Sequence, residues 1–156
     1  MSVPQNQELA LGLDMELASG IAAFEAKEFA RAMQLLGPLA EQGDPQAQYR
    51  LAVMAQVGLG MVKNCASAVK WMRAAATQGY ALAQHGLGFM YFQGECTKAD
   101  AVEAARWFRL AADQGLAGSQ SMLATMYEKG VGVERDATEA AKWRELAERG
   151  SGVAGA

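Results

Sequence analysis

The stretch GLGMVKNCASAVKWMRAAATQG, which runs from Gly58 to Gly79, is one copy of a unit that occurs three times. Its tryptophan returns at intervals of 36 residues, and the segments 47–82, 83–118 and 119–154 align without a gap. Seven columns are identical in all three copies: Gln48/Gln84/Gln120, Leu51/Leu87/Leu123, Met54/Met90/Met126, Gly58/Gly94/Gly130, Ala68/Ala104/Ala140, Trp71/Trp107/Trp143 and Ala75/Ala111/Ala147. Such periodic identity indicates a repeat architecture.

Each copy divides into two amphipathic helices. The columns of Ala47, Leu51 and Met54 fall on one face of the first helix, and those of Ala68 and Trp71 fall on one face of the second. Small side chains let neighbouring helices approach closely, while tryptophan fills the space between repeats. The sequence therefore predicts an all-α fold, an α/α superhelical solenoid of about four stacked helix pairs.

Capping residues mark the predicted helix boundaries. Asp100 and Asp136 each precede a glutamate by three residues, which is the pattern of an N-cap with a capping box, and Asn64 occupies the same column. The glycines predicted to end helices in the left-handed conformation are Gly43, Gly79 and Gly115.

Upstream of the three copies, the segment 13–46 resembles a 34-residue tetratricopeptide repeat in its small, aromatic and alanine positions. The predicted organisation is an N-terminal extension (1–12), a tetratricopeptide-like helix pair (13–46), three further repeats (47–82, 83–118 and 119–150) and a flexible tail (151–156).

Composition narrows the classes of function. The 156 residues carry a net charge of −3, which gives no electrostatic reason to expect nucleic acid or an anionic membrane as partner. No apolar run is long enough to span a bilayer, and the first residues do not form a secretion signal. We expect a cytoplasmic protein, or a periplasmic one if a signal peptide has been removed, with no cofactor and no metal.

The segments AQHGLGFMYFQG (Ala83–Gly94) and DAVEAARWFRLAADQG (Asp100–Gly115) resemble the SEL-one-like repeat family, solenoid relatives of the tetratricopeptide repeat. The resemblance is strong over about 110 residues and looser over 13–46. It implies an α/α superhelix that acts as a non-enzymatic adaptor for proteins or peptides, and it does not name the partner. Cys96 departs from the pattern, because it replaces a loop glycine.

In such a superhelix the first helix of each pair lines the concave side. The predicted partner-binding groove consists of Leu17, Ile21, Phe24, Tyr49, Val53, Gln56, His85, Phe89, Phe92, Ser121, Thr125 and Glu128. It is apolar and aromatic in its first three units and polar in the last, and Phe89 and Phe92 are the predicted anchors of an apolar segment. The alternative is that these side chains pack on one another or are covered by residues 1–12.

Other interpretations stay open. His85 is the single histidine, and no nucleophile or carboxylate lies at helical spacing from it. A small-molecule or cell-wall-fragment binder or a hydrolase, which the resemblance also allows, is therefore the second choice after the adaptor. Self-association through the C-terminal helix pair is the third, because no dedicated polar cap follows Gly150.

Disulfides in the resembling family pair within one repeat, and the spacing of Cys65 and Cys96 does not reproduce that arrangement, so a bridge between them is left open.

Overall fold

The computed structural model describes residues 5–151. Over this range the chain is all-α, with eight helices and no strand. The helices are α1 (Gln5–Glu25), α2 (Phe29–Glu41), α3 (Pro45–Val57), α4 (Cys65–Thr77), α5 (Ala81–Gln93), α6 (Ala101–Asp113), α7 (Ala117–Lys129) and α8 (Ala137–Gly150). They belong to two compact units, one up to Ala75 and one from Ala76 on. The predicted all-α class is confirmed.

From Gln5 onward the segment predicted as an N-terminal extension is the beginning of α1, which continues without a break into the first helix pair. Residues 1–4 of that extension lie outside the described part of the chain. The same holds for the predicted tail, apart from Ser151. None of the helices within 5–151 has the length and apolar character that crossing a membrane requires.

The first unit packs α1, α2 and α3 around a core that includes Leu36, Leu51 and Met54, all buried. Gly20 on α1 makes the packing possible. A Cβ atom at this position would stand 2.5 Å from Leu36 Cδ2, so only glycine lets the two helices come this close. The small residue in the predicted first helix therefore accommodates a large one in the second.

The second unit pairs α5 with α6 and α7 with α8, and α6 packs on α7. Its core joins Phe108 and Leu123, both fully buried, with Met126 and Trp143. Lys142 Nζ lies 5.0 Å from the centre of the Trp143 ring, which is the geometry of a cation–π contact.

The predicted N-caps are present. Asp100 and Asp136 accept hydrogen bonds from the backbone N–H groups of Glu103 and Glu139, each 3.1 Å long. The reciprocal half of the capping box is wrong, because the Asp100 N–H donates to the carbonyl of Tyr91 instead. The expected left-handed glycines are confirmed, with φ of 102°, 93° and 93° at Gly43, Gly79 and Gly115.

The repeated glutamine forms a hydrogen bond between helices, which its spacing in the sequence does not predict. Gln48 and Gln120 are buried, and each donates its side-chain amide to a backbone carbonyl eight residues earlier, that of Ala40 and Ala112, over 3.1 Å. These carbonyls lie in the last turn of the preceding helix, where no intrahelical N–H is available. The glutamine column therefore ties each first helix to the end of the helix before it.

Candidate partner-binding site

An aromatic cluster forms where α5 meets α6. Phe89 is the centre of the cluster, with ring-centroid distances of 4.9 Å to His85, 6.5 Å to Phe92 and 5.4 Å to Phe108. His85, Phe89 and Phe92 come from the predicted groove, whereas Phe108 was not predicted. Edge-to-face geometry stabilises such rings beyond the area they bury. The structure thus brings together the three predicted groove residues of α5.

The cluster rests on Phe108, which is completely buried, while Phe92 is 37% exposed and Phe89 is half-buried. Gly88 creates the room for Phe108, because a Cβ atom at residue 88 would lie 2.8 Å from the Phe108 ring. The glycine is visible in the sequence pattern, but its aromatic partner on the next helix is not. The result is an aromatic cluster that stands on a buried ring and exposes Phe92 to solvent.

His85 contacts the following repeat as well. Its Nδ1 lies 2.6 Å from Ser119 Oγ on α7, and the two side chains share a hydrogen bond. Burial beside the aromatic rings lowers the pKa of His85 from its ordinary value of 6.5, so the imidazole is neutral at pH 7. Helical spacing within α5 could not reveal Ser119, which is 34 residues away in sequence.

A serine next to a histidine is also the arrangement of a nucleophile and its base, but Ser119 has no exposed surface. A substrate carbonyl cannot reach a hydroxyl that is buried between helices. Within residues 5–151, no group of three or more His, Cys, Asp or Glu side chains could hold a metal ion. Neither Cys65 nor Cys96 is a free thiol, because both are disulfide-bonded.

The predicted groove residues of α7 form a polar surface. Thr125 Oγ1 donates to the backbone carbonyl of Ser121 over 3.2 Å, and Glu128 receives the Arg144 guanidinium at 2.9 Å. Ser121 and Glu128 are exposed and Thr125 is half-buried. The face of the second unit therefore changes from aromatic on α5 to hydrogen-bonding on α7.

In the first unit the predicted groove residues are half-buried without exception: Leu17, Ile21, Phe24, Tyr49, Val53 and Gln56. Leu17 and Phe24 pack against the core, and the Phe24 ring lies 5.8 Å from that of Phe29 in edge-to-face contact. The Arg50 guanidinium stands 6.0 Å from the Phe24 ring. These side chains present apolar surface without being enclosed.

The eight consecutive helices of residues 5–151, with their repeated glutamine ties and left-handed glycines, define a helical-repeat protein of the solenoid class. The Sel1 repeat model matches residues 45–80, 81–116 and 117–150, which is more than half of the sequence. This chain belongs to the Sel1 repeat family. No curated protein matches the sequence.

Solved structures agree with this assignment. The Sel1 repeat protein from Oxalobacter formigenes is 33% identical with a TM-score of 0.82, over 85% of this chain and 55% of that one. The protein c5321, a protective antigen present in uropathogenic Escherichia coli strains that displays an SLR fold, is 34% identical with a TM-score of 0.83. That alignment covers 96% of this chain and 33% of the antigen. This chain therefore spans about a third of the antigen and about half of the Oxalobacter protein. Sel1 repeats generally serve as protein-interaction modules.

Proposed function

We propose that this protein is a non-catalytic adaptor that holds an apolar helix or an extended peptide against the first helices of its repeats. The surface consists of two strips, each within one unit. The α1–α3 strip is Leu17, Ile21, Phe24, Tyr49, Val53 and Gln56, and the α5–α7 strip is His85, Phe89, Phe92, Ser121, Thr125 and Glu128.

The observation that carries the proposal is the aromatic cluster of α5. Binding energy in protein interfaces concentrates in a few large side chains that stand on a well-packed base, because such side chains lose little entropy on binding. Phe92 has this form: it is 37% exposed and lies 6.4 Å from the buried Phe108 ring. On α7 of the same unit, the exposed Ser121 and Glu128 offer hydrogen-bonding groups to a peptide backbone or polar side chain.

The hydrolase alternative has one feature in its favour, the contact between His85 and Ser119, and one against it. Catalysis would require the Ser119 hydroxyl to meet a substrate, and this hydroxyl is buried. The net charge of −3 gives nucleic acid no electrostatic attraction, which supports a partner of protein character.

Self-association through the C-terminal helix pair is less well supported. Arg144 and Glu148 on α8 are exposed, and they occupy columns that are filled by Phe108 and Ala112, both buried, in α6. Docking a second copy on this face would require burying both charges, which is costly unless the second copy pairs them.

The redox state of the cysteines bears on the compartment. The sequence predicts the cytoplasm, where disulfides rarely persist, whereas two bonded cysteines favour an oxidising compartment such as the periplasm. Thiol titration of the denatured protein, isolated in the presence of a thiol-blocking reagent, distinguishes the two. No reactive thiol before reduction and two after it would support the periplasm, and two blocked thiols would support the cytoplasm.

Affinity capture with a matched pair of variants tests the adaptor proposal. The double variant Phe89→Ser/Phe92→Ser removes the anchors, and Val102→Ser/Leu110→Ser removes two exposed apolar side chains from α6 of the same unit as a control. We expect a protein captured by the wild type to bind the first variant at least about tenfold more weakly and the control unchanged.

Circular dichroism establishes whether each variant is folded. If the double variant unfolds, Phe92→Ser alone provides the test, because this ring is the more exposed of the two. Equal capture by the wild type and by a folded Phe92→Ser variant would contradict the proposal.

A further inference from the structure

Helix α1 is longer than the helices that follow it. It has 21 residues, whereas α2 and α3 have 13 each. At 1.5 Å per residue the additional eight residues extend the helix by about 12 Å. Every residue from Gln5 to Glu16 is exposed, so about three turns of helix carry side chains that the first unit does not cover.

This part of α1 is unusually apolar for an exposed helix. Leu9 is 66% exposed and Leu13 is 42% exposed, and together with Leu17 they follow one face at intervals of four residues. Leu13 and Leu17 also line an open groove of about 370 Å³, which Leu39 of α2 closes on the other side. A contiguous apolar surface that combines a helix face with a groove is characteristic of an interaction site.

Carboxylates surround this apolar row. Glu8 and Glu16 line the surface around Leu9, and Asp14 and Asp44 line the groove beside Leu17. Neither lining includes a lysine or arginine, and α1 has no basic residue from Gln5 to Glu25. The surface therefore combines apolar area with charge of a single sign.

We infer that this surface, the α1 face of Leu9, Leu13 and Leu17 with its rim of Glu8, Asp14, Glu16 and Asp44, binds a basic amphipathic helix of a partner protein. The leucine row matches the apolar face of such a helix, and the carboxylates match lysine or arginine on its flanks. An anionic membrane is disfavoured because the rim would be repelled by it. A second copy of α1 is also disfavoured, because it carries the same carboxylates and would be repelled.

This site is distinct from the proposed adaptor strips except for Leu17, so the two can be tested separately. The probes are three synthetic peptides of the length of α1: an amphipathic helix of leucine and lysine, an equivalent of leucine and glutamate, and a scrambled leucine–lysine sequence. Fluorescence anisotropy measures their binding to the full chain. We expect the amphipathic basic peptide to bind at least about tenfold more tightly than either of the others.

Two pairs of variants locate the binding. Leu9→Ser/Leu13→Ser should weaken the basic peptide about tenfold or more, whereas Val62→Ser/Val131→Ser, at exposed apolar positions elsewhere, should not. Glu8→Gln/Glu16→Gln should weaken it and reduce the salt dependence of binding. Asp113→Asn/Glu134→Gln, which changes the net charge equally, should have a smaller effect.

The inference is overturned if the leucine–glutamate peptide binds as well as the basic one, or if Leu9→Ser/Leu13→Ser leaves binding unchanged. It is also overturned if light scattering shows a dimer that the same double variant dissociates, since the occupant would then be a second copy. Loss of binding in Phe89→Ser/Phe92→Ser alone would support the adaptor strips and contradict the α1 site.

Discussion

The repeats 81–116 and 117–150 share the same N-cap of the second helix, the same glycine at the end of the first helix and the same glutamine tie, yet their second helices differ in the columns that face onward along the array. Phe108 and Ala112 of α6 are buried, and the corresponding positions of α8 hold Arg144 and Glu148 on the surface. Gln114, the C-cap residue of α6, likewise corresponds to Gly150 of α8. The same backbone therefore carries two different outer faces.

The difference shows that the repeat pattern fixes the backbone, whereas the neighbour on the outer side decides the side chains. In the repeat 81–116 the second helix is covered by α7, and its columns are apolar. In the repeat 117–150 the same columns carry the charged side chains of Arg144 and Glu148, and both are exposed. Arg144 forms an ion pair with Glu128 on this face, at 2.9 Å.

Truncation of Phe108 should have the largest effect. We expect Phe108→Ala to lower the free energy of unfolding by about 3–5 kcal/mol, because it removes a fully buried ring and leaves a cavity below His85 and Phe89. Arg144→Ala, in the same column, should cost less than about 1 kcal/mol, the range of an exposed ion pair. Urea denaturation of both variants measures the difference, and equal losses would contradict the different burial of this column in the two helices.

The loop glycine Gly132 provides the second comparison. Its φ is 72°, and an added Cβ would collide with the Ala101 carbonyl oxygen. In Gly115, where φ is 93°, nothing lies within 4 Å of an added Cβ. We expect Gly115→Ala to cost about 1–2 kcal/mol from backbone strain alone, and Gly132→Ala to cost about 1–3 kcal/mol more.

Urea denaturation with the two alanine variants checks this expectation, and equal costs would mean that the collision is relieved by a small backbone shift. The position of Gly132 in the repeat is informative because Cys96 occupies the corresponding position in the preceding repeat. That residue adopts the left-handed conformation with φ of 61° and is disulfide-bonded. A side chain is thus compatible with this backbone conformation where the surroundings accept it.

The sequence was sufficient for the helices, because Trp71, Trp107 and Trp143 set the period and Asp100 and Asp136 marked the helix starts. It could not identify the partners of the repeated residues. Ser119 lies beside His85 only after one helix pair has packed on the next, and Phe108 lies beneath Phe89 only after the two helices of one pair have packed together. Contacts of this kind depend on the exact rotation of each helix, which periodicity does not determine. The groove itself remains a prediction.

A substitution of Gly150 should increase the stability of the protein, and it extends the comparison of the two repeats. In the preceding repeat Gln114 Nε2 donates to the Gly79 carbonyl over 2.8 Å and to Gln84 Oε1 over 2.9 Å. Around Gly150 the equivalent acceptors are the Gly115 carbonyl and Gln120 Oε1, both 3.9 Å from an added Cβ. Gln120 Oε1 is buried and has no hydrogen-bond partner among the described residues.

We therefore expect Gly150→Gln to raise the free energy of unfolding by about 1–2 kcal/mol, because it restores the missing donor and removes a glycine from a helix. The variant Gly150→Ala isolates the helix contribution, which should be about 0.5–1 kcal/mol. Chemical denaturation of the three proteins separates the two terms. If glutamine stabilises no more than alanine, the side chain does not reach Gln120.

The smallest effect should be the change of stability with pH that His85 causes. Ser121 occupies the corresponding position in the next repeat and serves as the comparison. Burial lowers the pKa of His85 in the folded protein below the value of 6.5 that it has when unfolded. Between these two pKa values the unfolded chain binds the proton and the folded chain does not, so stability falls as the pH falls below 6.5. Because His85 is the single histidine, His85→Gln should abolish most of the stability change between neutral and mildly acid pH, whereas Ser121→Ala should leave it intact. Urea midpoints across this range provide the measurement, and the same slope in wild type and His85→Gln would show that the imidazole titrates alike in both states.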